Sequence, residues 1–510
     1  MLTVAVGSSE GSARMRAPRR ASAHLATSLA LGLVACATPA AASPLFDTVG
    51  GVAGLHPLVA RAAPTGSEAA YFDPSALVGL AHGGGSTQVS FVVVGESLSA
   101  AADPRPGGVD VPESVYDARA VGPGGATSRL AQRPLPTSRL ERPGAGASRR
   151  ARPFVSLGIV SELVEDRVAL ALHALLPVST FQSQRPSFAD EREQYFSNAL
   201  RHELFGDRFD SPVFVLGLGV RATSWLELGA GVSTLTRARV ASAVYIPDSA
   251  DQQVALTNAG VDVSTTYAPH ASVAVAPARG VRVAVSAYAP ESQEVGGDTR
   301  IKFWSYPYPP GQSALAQTYA FSYGSLPLRT ALAASVDLGR IGSLGSLRAA
   351  GQATFTQWSR YVDRHAERPV DAWHDTLAVA AGVDLEHGDW RFAGDAAWTP
   401  SPVPAQEGRS NYVDDDRVGA ALTVAYRVRW GKREVVLSAG VTGQRLLPRH
   451  VRKSPGAADP VVDEFPDSVD ATSGAPIAAS HGLQTNNPGY PGFSSEGWIW
   501  SSTVGVRTGF

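Results

Sequence analysis

Strand-length runs of alternating polarity recur from Gly85 to the carboxy terminus, and the segments joining them are short and long in strict turn. A strand points successive side chains to opposite faces, so a run of this kind has one apolar face and one small or polar face. The short joins include Glu162–Asp166, Ser224, Pro277-Ala278-Arg279-Gly280, Glu386–Asp389 and Gly431-Lys432. The long ones are Gly95–Ala151, Pro177–Ser211, Ala241–Tyr267, Trp304–Leu326, Thr399–Asp416 and Gly443–Glu496, with Val362–Ala372 intermediate. About 14 runs result, and an even number with short turns on one rim and long loops on the other is the layout of a bacterial outer-membrane barrel. A soluble sandwich has no reason to keep the two kinds of connection in step. The expected fold is therefore all-β: a transmembrane antiparallel β-barrel of about 14 strands, with its apolar face turned outward to lipid.

Individual runs agree. In Gly497–Phe510 one face carries Trp498, Trp500, Val504, Val506 and Phe510, and the other Ser501, Thr503, Gly505 and Arg507. In Arg417–Trp430, Val418, Leu422, Val424, Tyr426 and Trp430 oppose Arg417, Thr423, Arg427 and Arg429. In Trp390–Trp398, two tryptophans end an apolar face opposed by Arg391 and Asp395. Trp390, Trp398, Trp430, Trp498 and Phe510 are the expected aromatic girdle at the two membrane interfaces. Val281–Phe303 reads as one long seventh strand.

Charged residues make up 18% of the 510 residues, below the ordinary level of about 25%, as a lipid-facing surface requires. The formal net charge of −2 gives nucleic acid nothing to bind. The single cysteine, Cys36, lies in the amino-terminal region, which excludes disulfides, thiolate metal clusters and a cysteine nucleophile from the rest of the chain.

Residues 1–43 read as an export signal. Arg16, Arg19 and Arg20 precede the short apolar stretch Leu25–Ala35 and the small residues Ala40-Ala41-Ala42-Ser43. Met15 is an alternative start. Leu33-Val34-Ala35-Cys36 is also lipobox-like, so lipidation of Cys36 and ordinary cleavage stand as equal alternatives. Residues 44–80 are rich in Ala and Gly, hold helix-compatible stretches, and contain the turn-like run Tyr71-Phe72-Asp73-Pro74-Ser75-Ala76-Leu77. The barrel occupies residues 81–510, with long extracellular loops at 95–151 and 443–496.

Several of these stretches resemble the long-chain fatty acid outer-membrane transporters and their aromatic-hydrocarbon relatives (FadL-like). The block Ala372-Trp373-His374-Asp375-Thr376, Asp389-Trp390-Arg391-Phe392, Ser401-Pro402-Val403-Pro404-Ala405-Gln406 and Asp414-Asp415-Asp416-Arg417 is similar to the family's strand, turn, strand, SPVP loop and D-x-D-R run, in order. Thr356-Gln357-Trp358-Ser359 resembles another landmark, and Tyr71–Leu77 resembles the aromatic-N-P-A-x-L motif, with Asp73 and Ser75 in place of Asn and Ala. The resemblance implies a monomer in outer-membrane lipid and lipopolysaccharide, inserted by the barrel-assembly machinery. It implies that residues 44–80 form a hatch inside the lumen, with Asp73, Pro74 and Ser75 as its anchoring motif. It further implies that a hydrophobic small molecule is captured in an apolar pocket and released sideways through the wall, without cofactor or chemistry. Burying about 0.8 kcal/mol per methylene, a 16-carbon chain gains on the order of 11–13 kcal/mol on leaving water, which makes a dry sleeve a sensible conduit.

Other chemistry is less supported. Asp414-Asp415-Asp416 could hold a divalent cation, but a solvated loop end is the stronger expectation. The arginines of the first long loop (Arg129, Arg133, Arg139, Arg142, Arg149, Arg150, Arg152) could meet lipopolysaccharide phosphates, against a solvated loop. His374 and Asp375, on opposite faces of a strand, form no dyad, and no nucleophile elbow or zinc-spaced His pair occurs. A structural or surface-interaction barrel, and less readily a polar porin, are the alternatives to a hydrophobe channel.

Overall fold

The computed structural model describes residues 44–103, 146–178, 200–248, 254–363, 368–406, 411–430, 433–452 and 492–510, apart from 53, 82, 201, 210 and 211. The signal region with Met15 and Cys36, and most of both longest loops, including Arg129, Arg133, Arg139 and Arg142, lie outside the described residues.

The strands are β1 (Gly85–Ala102), β2 (Gly146–Val164), β3 (Val168–Pro177), β4 (Val213–Arg221), β5 (Leu226–Ile246), β6 (Leu256–Ala278), β7 (Val281–Tyr288) and β8 (Glu291–Phe303). They continue with β9 (Leu315–Leu326), β10 (Arg329–Ile341), β11 (Gly345–Thr356), β12 (Thr376–His387), β13 (Trp390–Thr399), β14 (Arg417–Trp430), β15 (Arg433–Arg452) and β16 (Gly492–Gly509). Neighbours in sequence pair antiparallel from β1 through β7, β7 pairs with β10, and β10 through β16 continue in order. The ring closes where β16 meets β1, from Ser86 opposite Gly509 to Ala102 opposite Phe493. Setting aside β8 and β9, 14 strands form a closed antiparallel barrel.

Several boundaries differ from the sequence reading: residues 241–246 and 256–267, read as loop, extend β5 and β6, and residues 315–326, also read as loop, form β9. The long seventh strand is broken at Ala289-Pro290, and the excluded part becomes β8, hairpinned to β9. Ala289 makes the last backbone bond to β6, donating to Pro269 O. Pro290 has no N–H to extend that ladder. β8 then runs parallel to the far edge of upper β5, from Val295 beside Ala238 to Phe303 beside Ile246. The long loops also begin later than expected, because residues 95–102, 146–151, 443–452 and 492–496 belong to strands. About 9–11 residues suffice to cross a bilayer. β3, β4 and β13 have that length and β7 is one residue shorter, so the additional residues of β1, β2, β5, β6, β15 and β16 extend the wall beyond it.

The polarity of the wall is inverted relative to a soluble protein. On β4, Phe214, Leu216 and Leu218 face out, while Val213, Val215, Gly217 and Gly219 face in. Leu422 and Val504 are 69% and 64% exposed on the outer face. Inside, Ser90, Ser156, Thr423 and Ser501 are buried. Only contact with lipid makes such an outer surface favourable.

The interior is occupied by the amino-terminal segment. It comprises short helices Pro44–Val49, Ala69–Phe72 and Leu77–Ala81 and a 3-10 turn Pro74–Ala76. Leu45, Phe46, Val59, Ala69, Tyr71, Phe72 and Leu77 are fully buried there.

Candidate functional site: the filled lumen

The segment is held on its two sides by different means. Toward β4 and β5 the wall is glycine. A Cβ on Gly217 would stand 2.7 Å from Ala70 Cα, and one on Gly219 would stand 2.7 Å from Pro74 O. One on Gly229 would overlap the backbone of Pro74 and Ser75. Absence of side chains here lets backbone meet backbone. Asp73, Pro74 and Ser75 lie against this patch. Ser75 N donates to Asp73 Oδ1 (3.2 Å) and to Ser272 Oγ (2.8 Å). Ser75 Oγ donates to Asp73 Oδ1 (2.6 Å). Arg282 of β7 donates to Asp73 Oδ2 (2.6 Å), Ser75 Oγ (2.8 Å) and Glu227 (3.3 Å). Carbonyls of the preceding helix are also taken up: Tyr288 OH donates to Phe72 O (2.7 Å) and His270 Nε2 to Ala70 O (2.6 Å).

Toward β10–β16 the ties are polar side chains. His56 stands between Asp395 (2.7 Å) and Asp384 (2.9 Å), and Leu58 N donates to Asp395 (3.0 Å). Burial alone would lower the His56 pKa, but the bonds and charges of the two aspartates outweigh it and raise it. Gln352 donates to Leu58 O (3.0 Å) and accepts from Arg61 N (3.0 Å). Gln444 of β15 and Arg507 of β16 donate to Thr48 O and Thr65 O. Glu68, walled in near Arg507, has its carboxyl pushed up to about 7 by burial.

Asp47 is the hub of the upper interior. It accepts from Arg61 Nη2 (2.7 Å), Tyr71 OH (2.6 Å) and Arg329 of β10. Burial pulls the Arg61 pKa down, but Tyr288 and Asp47 more than restore it, so the guanidinium stays charged. Beside this hub is a cavity of about 120 Å³, bounded by Asp47, Arg61, Arg329, Arg417, Gln352 and Gln444 as well as Phe46, Phe72, Leu326 and Trp358. The resemblance implies an apolar pocket; this cavity is half polar, because inward strand positions of a barrel are polar ones. Its volume lies well below the roughly 300 Å³ that even a small drug-sized ligand needs.

An aromatic roof lies above. Tyr361 stacks on Trp373 at 4.0 Å, and Trp358 and Tyr412 pack on Trp373 at 5.7 and 5.5 Å. Phe205 and Phe209 join the same buried cluster as Leu45 and Phe46 of the segment. Loop bridges lock the roof. Glu203 N donates to Val413 O (3.0 Å), and Arg208 donates to Glu203 (2.9 Å) and Tyr361 OH (2.7 Å).

The remaining predicted residues fall as follows. Trp390, Trp398 and Trp498 face outward, each 44–48% exposed. At about 3.3 Å per residue the first two stand roughly 26 Å apart along β13. Phe510 N bonds Gly85 O across the closing seam. Trp430 ends β14, and its side chain lies outside the described residues. Asp414-Asp415-Asp416 is not a wholly solvated loop end, for only Asp416 is exposed. Asp414 and Asp415 are buried, accepting from Ser401 Oγ (2.7 Å) and Ser495 Oγ (2.6 Å), because this loop folds inward under the roof. Burial pushes the Asp414 carboxyl up to about 6. His374 and Asp375 precede β12 rather than lying on it: His374 N bonds Pro402 O, and Asp375 accepts from Ser359 N (2.8 Å). Arg152 is buried and paired with Glu96 (3.2 Å), whereas Arg149 and Arg150 are exposed on β2.

No family model and no curated protein matches this chain. Among solved structures, a Pseudomonas aeruginosa FadL homologue is similar, with 13% identity over 92% of this chain and 98% of its own, at a TM-score of 0.49. The P. putida toluene transporter TodX is 10% identical over 91% and 99%, at 0.46. The CymD monoaromatic hydrocarbon channel is 10% identical over 92% and 98%, at 0.43. These are likenesses of architecture at low identity.

Proposed function

We propose that this chain is a bacterial outer-membrane channel for hydrophobic compounds, with residues 44–80 as its hatch and Asp73-Pro74-Ser75 as the anchor. The observation that carries the reading is the filled lumen: a folded segment beneath an aromatic roof, beside a cavity too small for substrate. An open diffusion pore for polar solutes needs a continuous water path, and this interior is packed with Phe46, Tyr71 and Phe72 instead. A ligand captured under the roof displaces part of the segment to make room, and that displacement couples binding to passage. Strand pairing is continuous around the ring, so sideways release into lipid requires a local parting of strands in the loaded state. Uptake of labelled fatty acid and of labelled sugar into liposomes containing the protein tests this. Fatty acid alone should enter; sugar uptake would replace the reading with a porin.

A second reading has one observation in its favour. Upper β5 and β6 project with β8 and β9 as a four-stranded sheet, in which Val261 and Val263 are exposed. A surface-interaction barrel would use that projection and transport nothing, so the same liposomes would take up neither compound.

A further inference from the structure

The sheet formed by upper β5, upper β6, β8 and β9 has one charged face and one uncharged face. Nine pairs join β5 to β8, from Ala238 opposite Val295 to Ile246 opposite Phe303. Over this stretch and its partners on β6 and β9 there are five charged residues, Arg239, Asp262, Asp298, Arg300 and Lys302, and the register puts all five on one side. Arg239 pairs with Asp298 there (3.3 Å), and Thr318 donates to the same carboxylate (2.9 Å). Val240, Val244, Ile301, Leu315, Val261 and Val263 lie on the other side. We propose that this uncharged face is the contact between two copies of the chain in the membrane. The sequence resemblance implies a monomer, so the sheet sets this chain apart, and the pairing does not depend on what the barrel conducts.

The uncharged face is the outer face of the barrel carried upward. β5 and β6 pair without a register shift from Leu226 opposite Val275 to Tyr245 opposite Leu256, so Val261 and Val263 are on the same side as Tyr267 and Val273. Those two look outward from the wall, 56% and 46% exposed. Lipid does not reach the upper part. At about 3.3 Å per residue and a strand tilt of about 40°, Val240 stands roughly 35 Å above Leu226, beyond an apolar belt of about 25 Å. Val261 and Val263 are nevertheless 60% and 65% exposed. A contiguous apolar face left in water marks an interaction site.

Symmetry, charge and area point to a second copy as the occupant. Copies inserted in the same direction are related by a two-fold axis along the membrane normal, which turns outer wall to outer wall. Such a contact sets residues near the axis against their own copies, so a charge there would repel itself. This face carries none. Four strands about 4.8 Å apart and nine residues deep cover roughly 570 Å² on each copy, about 1,100 Å² for the pair, and specific interfaces begin near 1,000 Å². Ser242 Oγ and Thr299 Oγ1, near the middle of the face, bond each other at 2.8 Å, so covering them leaves neither without a partner.

The test uses the full chain in liposomes, with Cys36→Ser removing its single cysteine. Val244 and Ala243 are adjacent on β5 and lie on opposite faces. Facing sheets stand about 10 Å apart, so Val244→Cys treated with a bismaleimide of that reach should yield a cross-linked pair, and Ala243→Cys should not. Val240→Lys added to Val244→Cys sets like charges across the contact and should weaken association by on the order of a hundredfold, abolishing the cross-link. Ala243→Lys added instead should leave it. Heat-dependent gel migration checks that every variant forms the barrel. Equal cross-linking at 243 and 244 would mean chance encounter, and no cross-link at 244 would mean that lipid or another protein covers the face. Either result, or a cross-link that survives Val240→Lys, would overturn the dimer, while the uptake measured in the same liposomes stands or falls separately.

Discussion

His56 Nδ1 lies 2.7 Å from Oδ1 of Asp395, 339 residues later in the chain. Nε2 of the same ring reaches Asp384 at 2.9 Å, and both oxygens of Asp384 accept from Arg391 at 3.0 Å. This buried imidazole cross-links the segment to β12 and β13. Its pKa is raised above 6.5, so its stabilisation is fully present below pH 6.5 and is lost as pH rises through the folded value. Glu68, raised from 4.5 to about 7, acts in the same direction, because the docked state keeps a proton that the free carboxyl has released. Docking of residues 44–68 should weaken as pH rises from 4.5 to about 7 through Glu68, and further above 6.5 through His56. Hydrogen exchange of these amides, corrected for intrinsic rates, should show protection falling with pH. His56→Gln should flatten the part above pH 6.5 and Glu68→Gln the part below it, and a protection constant across the whole range would contradict the sign.

Gly229→Ala should disturb the anchor, since a Cβ there overlaps Pro74 and Ser75. Overpacking of this kind costs about 1–3 kcal/mol. Gly443→Ala is the matched control, with no heavy atom within 4 Å of the added carbon. Thermal unfolding in one detergent should separate the two; equal midpoints would mean that the segment does not rest on that wall.

Asp73→Ala removes the acceptor for Arg282 and for both polar groups of Ser75. Arg282 keeps Glu227, so the loss should be about 1–3 kcal/mol rather than that of an isolated buried pair. Protease cleavage within residues 67–81 should accelerate. Unchanged cleavage and unchanged hydrophobe uptake together would assign Asp73 to an ordinary turn.

Leu422→Arg places a charge on the outer face of β14, where the side chain is 69% exposed. In lipid this should cost about 2–4 kcal/mol. Val370→Arg, in a loop and 92% exposed, should stay within about 0.5 kcal/mol. Equilibrium folding into lipid vesicles measures both, and similar values would place the outer face in water.

The wall was legible because each strand carries its own answer. In β13, Trp390, Phe392 and Trp398 go out and Arg391 and Asp395 go in by alternation alone. The glycines at 217, 219, 229 and 231 were legible too, as paired Gly-x-Gly on adjacent strands, but went unread as a docking patch. Pro290 was the available sign that the seventh strand stops, masked by the polar alternation that continues into β8. Burial of Asp414 and Asp415 had no local sign, since an acidic run before a strand has the same composition whether a loop folds inward or away.

Periodicity determined by itself that this chain closes into a barrel, how many strands cross the membrane, and which side chains meet lipid. Those properties depend on near neighbours and on one solvent boundary. Tertiary structure alone decided what fills the barrel: His56 between Asp384 and Asp395, Arg282 on Asp73, and Asp47 among three arginines. Alternation says that a side chain points inward, but its partner there is set by strand register and by the path of a segment hundreds of residues away, and no local pattern encodes that meeting.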